Sequence, residues 1–163
     1  MIKKQITPEQ ALIKTQNICA SQEKCKADIR KKLYDWKIPA MEIEKILKKL
    51  VEDKFIDENR YAGFYVKDKY KLNKWGRIKI EFSLRQKQIE QSLITNAVNE
   101  INDDEYKEIF RNELIKKLKS LRNEESHKLK EKLLRFAQGR GYEAELSILM
   151  VGELLDKSNL ALN

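Results

Sequence analysis

Residues 55–87 read FIDENRYAGFYVKDKYKLNKWGRIKIEFSLRQK, and two periodicities in them decide the fold. After Asp57, whose side chain can cap a helix, Tyr61, Ala62, Tyr65, Val66 and Leu72 fall on one side at about 100° per residue, while Arg60, Phe64, Lys67 and Lys71 gather on the other. This spacing predicts a helix over 58–72 with an apolar face and a basic face. From Gly76 a second helix is expected to Gln86, apolar on two sides, with Ile78 and Phe82 on one and Ile80 and Leu84 on the other. A helix of that kind is covered twice, as in the middle of a stack. Phe64 stands inside the basic face, where it either meets a partner or packs against a neighbouring helix.

The same stretch concentrates the charge. Between Arg60 and Lys87 nine Lys or Arg stand against Asp68 and Glu81, an excess of seven in a chain whose net charge is +8. Six aromatics, Tyr61, Phe64, Tyr65, Tyr70, Trp75 and Phe82, are interleaved with those cations. Cations mixed with aromatics point to an acidic partner, either a nucleic acid or a protein that handles one. Residues 103–163, by contrast, hold 12 basic and 12 acidic side chains, so their lysines are expected on ordinary solvated helix faces.

Composition supports helices throughout. Among 163 residues, five Gly and two Pro leave few turn-makers for a sheet, and 41% hydrophobic residues suffice for a core despite 37% charged ones. There is no run of about 18 apolar residues, and MIKKQITPEQ lacks the apolar core of a signal peptide. The expectation is a cytoplasmic protein that does not enter a membrane. Cys19 and Cys25 are six apart, about 240° around a helix, which suits neither a shared metal nor a disulfide framework.

Working outward, Thr7, Pro8 and Gln10 announce a first helix to about Ala20. Further helices are expected over 22–36, 40–53, 90–101, from the Asn102 cap to 118, over 124–137 and over 143–155, with a frayed tail at 157–163. A repeat then reduces nine helices to one unit used three times. A shift of 51 residues pairs Ile29 with Ile80, Leu33 with Leu84, Ile38 with Ile89, Ile43 with Ile94, Ile46 with Ala97, Leu47 with Val98 and Leu50 with Ile101. A further shift of 53 continues the series to Leu133, Ala137, Tyr142, Met150, Val151 and Leu154, with Ser147 the break opposite Ile94. The expected architecture is all-α, with three-helix repeats at 1–54, 55–102 and 103–156 stacked into an elongated curved array and a flexible tail at 157–163.

With the repeat in place, the central residues resemble the signature of the RecX family, bacterial regulators of the RecA recombinase. They are Phe55 to Ala62, then Tyr65 and Val66, then Gly76, Ile80, Leu84, Lys87 and Ile89. Asp28, Ile29, Lys32 and Leu33 fit the first repeat, and the resemblance runs from about Ala11 to Leu154. Where the family has a glycine to cap each second helix, this chain has Lys37 and Gln88, and only Gly141 keeps it. The resemblance implies a monomeric, non-enzymatic modulator that needs no cofactor. It would bind the RecA filament on single-stranded DNA, touching the DNA directly or through the filament, and restrain ATPase, strand exchange and co-protease activity. Arg60, Phe64, Lys67, Lys71, Lys74, Arg77 and Lys79 are the expected contact surface, extended by Lys26, Arg30 and Lys31.

Two other classes are weaker. A helical DNA- or RNA-binding module acting without a recombinase would present base-reading side chains, and Gln91, Thr95 and Asn99 share such a face but without flanking cations. An enzyme has less support still. His127 is the only histidine and stands in a Lys-rich segment, no Asp/Glu/His cluster has metal-ligand spacing, and Gly139-Arg140-Gly141 lacks the strand that a phosphate loop follows.

Overall fold

In a computed structural model describing residues 6–121 and 124–160, side chains of 158–160 excepted, every regular element among the described residues is a helix. They are α1 (Pro8–Ser21), α2 (Lys26–Asp35), α3 (Ala40–Glu52), α4 (Glu58–Lys71), α5 (Arg77–Gln86), α6 (Gln91–Asn99), α7 (Asp103–Ser120), α8 (Ser126–Arg140) and α9 (Ala144–Leu160). Residues 1–5 of the segment searched for a leader, and 161–163 of the expected tail, lie outside the described residues. No described helix is long and apolar enough to cross a membrane.

The starts follow from capping chemistry. Gln10 N–H donates to Thr7 Oγ1 at 3.3 Å while Thr7 N–H donates to Gln10 Oε1 at 3.2 Å, a reciprocal box at the head of α1. Asp57 accepts from Arg60 N–H and Asn102 from Glu105 N–H, both at 2.9 Å. Two expectations need correction. Helix α2 begins at Lys26, not Gln22, because Cys25 takes the extended backbone of a cap; the two cysteines therefore do not share a helix, and both are buried and free. Gly139 and Arg140 complete the last turn of α8 and do not form a loop.

The repeat is visible in burial. Ile29, Ile80 and Leu133 are each fully buried, as are Leu33, Leu84 and Ala137. Ile38, Ile89 and Tyr142 are likewise in the core, and Ser147, the break in the apolar series, stays buried because its hydroxyl donates to Glu143 O at 2.8 Å. The ends of the second helices repeat as well. Lys37, Gln88 and Gly141 all take left-handed backbone, with φ of 61°, 60° and 85°. The following residue then donates five positions back in each case, Ile38 to Leu33 O, Ile89 to Leu84 O and Tyr142 to Ala137 O, at 3.1, 3.2 and 3.1 Å. Two long side chains thus hold a geometry that glycine adopts without strain, and the capping motif survives the loss of its usual residue.

Helix α5 departs from the expectation of double cover. Ile80 and Leu84 are fully buried, but Ile78 and Phe82 are 54% and 58% exposed, so only one of its apolar faces is packed. Leu72, placed with the apolar face of α4 by its spacing, lies just past the helix end and is exposed.

The chain forms two compact units, Met1–Tyr65 with Leu84–Ala97 and Val66–Ser83 with Val98–Asn163. In the first, Ile29, Leu33, Ile43, Ile46, Leu47 and Leu50 build a core that Ala11, Cys19, Ile38 and Ile56 complete. In the second, Phe110 stacks on Tyr142 with ring centroids 3.7 Å apart, and Tyr106 packs against the same tyrosine at 5.4 Å. Each fully buried Leu, Ile or Phe contributes on the order of 1.5–3 kcal/mol, so the helix triplets are held by these rows more than by helix propensity.

Candidate functional site

The first unit carries Lys26, Arg30, Lys31, Arg60 and Phe64 of the expected surface. Arg60 is anchored: its Nε donates to Glu23 Oε1 at 2.6 Å and its second terminal nitrogen reaches Lys54 O at 3.5 Å. Lys26, at the head of α2, engages Glu58 through both its backbone N–H and its ammonium, each at 3.2 Å. Arg30 pairs with Glu44 at 3.2 Å, whereas Lys31 is exposed and makes no ion pair among the described residues. Phe64 is 53% exposed. It is a surface ring, and the core of its helix is made by Tyr61 and Ala62.

Spacing alone passed over Lys87. Its ammonium donates to Asp28 Oδ1 at 2.7 Å and stands about 6 Å from the rings of Tyr61 and Tyr65. Burial opposes ionisation of Asp28, but the hydrogen bond from Lys87 outweighs it together with the smaller contributions, and the carboxyl is held below its ordinary range. Burial also pushes the neighbouring Cys25 thiol up to about 11. Gln91 Oε1 accepts from Arg85 Nε at 2.9 Å, which gives the α6 face an adjacent cation that its own sequence lacks.

The second unit carries Lys67, Lys71, Lys74, Arg77 and Lys79. Lys71 donates to Glu105 Oε1 at 2.7 Å, and the Tyr70 hydroxyl donates to Oε2 of the same carboxylate at 2.9 Å. These bonds, that from Lys71 first, lower the Glu105 pKa below its ordinary value. Lys74 turns back on the chain, its left-handed backbone (φ 57°) directing Nζ onto Lys71 O. Arg77 is more enclosed than Lys71. Its guanidinium lies 4.1 Å from the centre of the Tyr106 ring, donates to Glu143 Oε1 at 3.1 Å and pairs with Asp103. The Tyr106 hydroxyl closes the cluster by accepting from Arg77 N–H at 2.9 Å and donating to Glu143 Oε2 at 2.8 Å. Lys67 is exposed and makes no ion pair among the described residues.

Arg60 and Arg77 therefore have intramolecular carboxylate partners, and Phe64, Lys67 and Lys31 project without them. His127 is exposed, 3.7 Å from Glu125, and among the described residues no group of His, Cys, Asp or Glu could hold a metal ion. The Lys79 ammonium stands 4.7 Å from the centre of the Trp75 ring, and that of Lys69 stands 4.9 Å from it. Trp75, one of the six aromatics of the basic stretch, lies outside the expected contact surface.

The chain resembles known proteins in sequence and in fold. A family model described as "RecX, second three-helix domain" matches residues 57–98. A protein named "Regulatory protein RecX" from Clostridium acetobutylicum is 33% identical over 136 residues, covering 81% of this chain and 61% of the relative. Another of that name from Clostridium tetani is 39% identical over 102 residues, covering 61% of this chain and 46% of the relative. The chain thus spans about half to three fifths of the length of these curated relatives. A crystal structure of "regulatory protein RecX" superposes with a TM-score of 0.80 at 25% identity, covering 88% of this chain and 70% of that one. RecX from Lactobacillus salivarius does so with 0.77 at 18% identity, covering 90% of this chain and 96% of that one, a likeness of fold.

Proposed function

The chain belongs to the RecX family, and from that premise we propose that it is a non-enzymatic regulator that binds the RecA filament on single-stranded DNA and restrains its ATPase, strand exchange and co-protease activity. The observation that carries the reading is the match of the family's second three-helix domain to residues 57–98, which contain the stretch from Arg60 to Lys87 where nine Lys or Arg stand against Asp68 and Glu81. A cationic helical surface raises the on-rate and affinity for a polyanionic nucleoprotein and makes both sensitive to salt.

Within the expected set, Phe64 and Lys67 have the strongest claim to intermolecular contact, since one is an exposed ring and the other an exposed cation without an ion pair among the described residues. Arg60, Lys26, Arg30, Lys71 and Arg77 would present charge that intramolecular carboxylates already hold in position. Lys31, Lys74 and Lys79 complete the surface. The test is RecA ATPase on single-stranded DNA with this protein titrated in below stoichiometry at two salt concentrations. Inhibition that weakens as salt rises is the expected result, and an ATPase rate unaffected at either salt would refute the proposal.

A further inference from the structure

We propose that the second unit carries a track for single-stranded nucleic acid in which Trp75 and Phe136 are stacking platforms for bases and Lys79, Lys117 and Arg140 meet the phosphates. The track rests on the reading of the chain as a filament regulator, and it joins Lys79 of the surface expected from the sequence to Trp75, Lys117, Phe136 and Arg140, which lie outside that surface.

Two half-buried aromatics each have two cations within cation–π reach. Trp75 has Lys79 at 4.7 Å and Lys69 at 4.9 Å, and Phe136 has Arg140 at 5.3 Å and Lys117 at 5.7 Å. The two sites are joined by bonds inside the unit. Arg140 donates to Asn73 O at 3.0 Å, two residues before Trp75, and Lys79 Nζ reaches Gly139 O at 3.4 Å, one residue before Arg140. Beside Phe136 a pocket of about 260 Å³ opens between Lys117, Lys132 and Arg135. The summed charge of residues 103–163 is zero, so sequence bookkeeping hides this segregation.

The chemistry favours a nucleic acid over an acidic protein surface. The cations stand over these rings, so a base that stacks on one displaces an ammonium or guanidinium group onto its adjoining phosphate, and the pairing occurs twice here. The carboxylates nearby do not cancel it. Glu113 stands 4.0 Å from Arg140, Glu131 pairs with Arg135 at 2.6 Å and Glu124 pairs with Lys132, while Lys79 and Lys117 make no ion pair among the described residues. The platform is also preorganised. Trp75 N–H donates to Lys69 O at 3.0 Å, and the Tyr142 hydroxyl holds Lys74 O at 3.1 Å.

The experiment uses the full chain carrying Trp36→Phe, which leaves Trp75 as the only tryptophan, and titrates it with an oligothymidylate without recombinase. Saturable, salt-sensitive quenching of Trp75 fluorescence is expected. Anisotropy of the labelled oligonucleotide should show Phe136→Ala and Trp75→Ala each weakening binding by roughly 5- to 100-fold, with Trp75→Phe retaining most of the affinity and Lys117→Glu reducing it with the fold intact by circular dichroism. No quenching, or alanine variants that bind as the parent does, overturns the track. So does an alanine variant that binds the oligonucleotide normally yet loses control of the recombinase, because the patch would then meet protein. RecA ATPase measured on the same preparations separates the two readings. Inhibition without quenching leaves the regulator standing and removes the track, and quenching without inhibition does the reverse.

Discussion

Gly76 and Gly141 meet backbone to backbone: Gly76 N–H donates to Arg140 O at 2.7 Å, Ile78 N–H donates to Gly141 O at 3.1 Å, and a Cβ on Gly76 would lie 2.1 Å from Gly141 O. A Cβ on Gly141 would in turn meet that of Lys79 at 2.3 Å. Nothing flexible lines the contact at Gly76, so Gly76→Ala must push the start of α5 away from the end of α8 and break both bonds. The expected loss is about 3 kcal/mol or more, read as a lower urea midpoint. A midpoint within error of the parent would show that the contact can relax.

The left-handed caps predict the opposite sign. Lys37 and Gln88 hold φ near 60° against the steric cost of their Cβ atoms. Replacing either with glycine removes that cost and gives part of it back as unfolded-chain entropy, leaving a net gain of about 0.5–1 kcal/mol per site. Thermal unfolding of the single and double variants checks both the gain and its additivity, expected because each cap is closed by its own local bonds.

Arg77 and Lys67 separate architecture from contact. Arg77→Ala leaves Glu143 without its guanidinium and uncovers the Tyr106 ring, and it should destabilise the chain by roughly 2 kcal/mol. Lys67→Glu, on an exposed side chain without an ion pair among the described residues, should leave the unfolding midpoint unchanged and weaken inhibition of the recombinase. A stable Lys67→Glu variant with full inhibition would remove Lys67 from the surface.

The Asp28–Lys87 pair predicts a pH window. Asp28 is held below its ordinary pKa in the folded chain, so its contribution is fully present above about 3.8 and is lost as pH falls through the lowered value. Burial works against the charge of Lys87, but its bond to Asp28 raises its pKa overall; its share is therefore complete below about 10.5 and disappears as pH rises through the raised value. Asp28→Asn should cost about 2 kcal/mol at pH 7 and at every pH above about 3.8, and progressively less as pH falls below that. Denaturant titrations of both proteins across that range test it, and a difference that persists undiminished in acid would rule the pair out.

Much of the fold was written in local chemistry. The Thr7–Gln10 box, the Asp57 and Asn102 caps and the two shifts that align Ile29, Ile80 and Leu133 all depend on residues close in sequence or on a period, and the structure bears them out. Coverage was not legible in the same way. The spacing of Ile78 and Phe82 shows that α5 has a second apolar face, but whether anything packs on it depends on tertiary context, and the pair is exposed. Charge pairing was equally hidden, since Arg60 finds Glu23 and Arg77 finds Glu143 at sequence separations of 37 and 66. Phe64 sat inside a basic face by count, and only its exposure distinguishes a surface ring from a packed one.

The junction of α5 with α8 also bears on synthesis. The amides of Gly76 and Ile78 at the start of α5 find their acceptors at Arg140 and Gly141, so when Gly76 is joined to the growing chain its partner is still more than sixty residues from being made. Until then those amides have only water, and the close glycine contact cannot form. The second unit therefore cannot reach its final bonding while the chain is growing through α7, and a nascent chain stalled before residue 140 should expose the start of α5 to proteases that the finished protein resists.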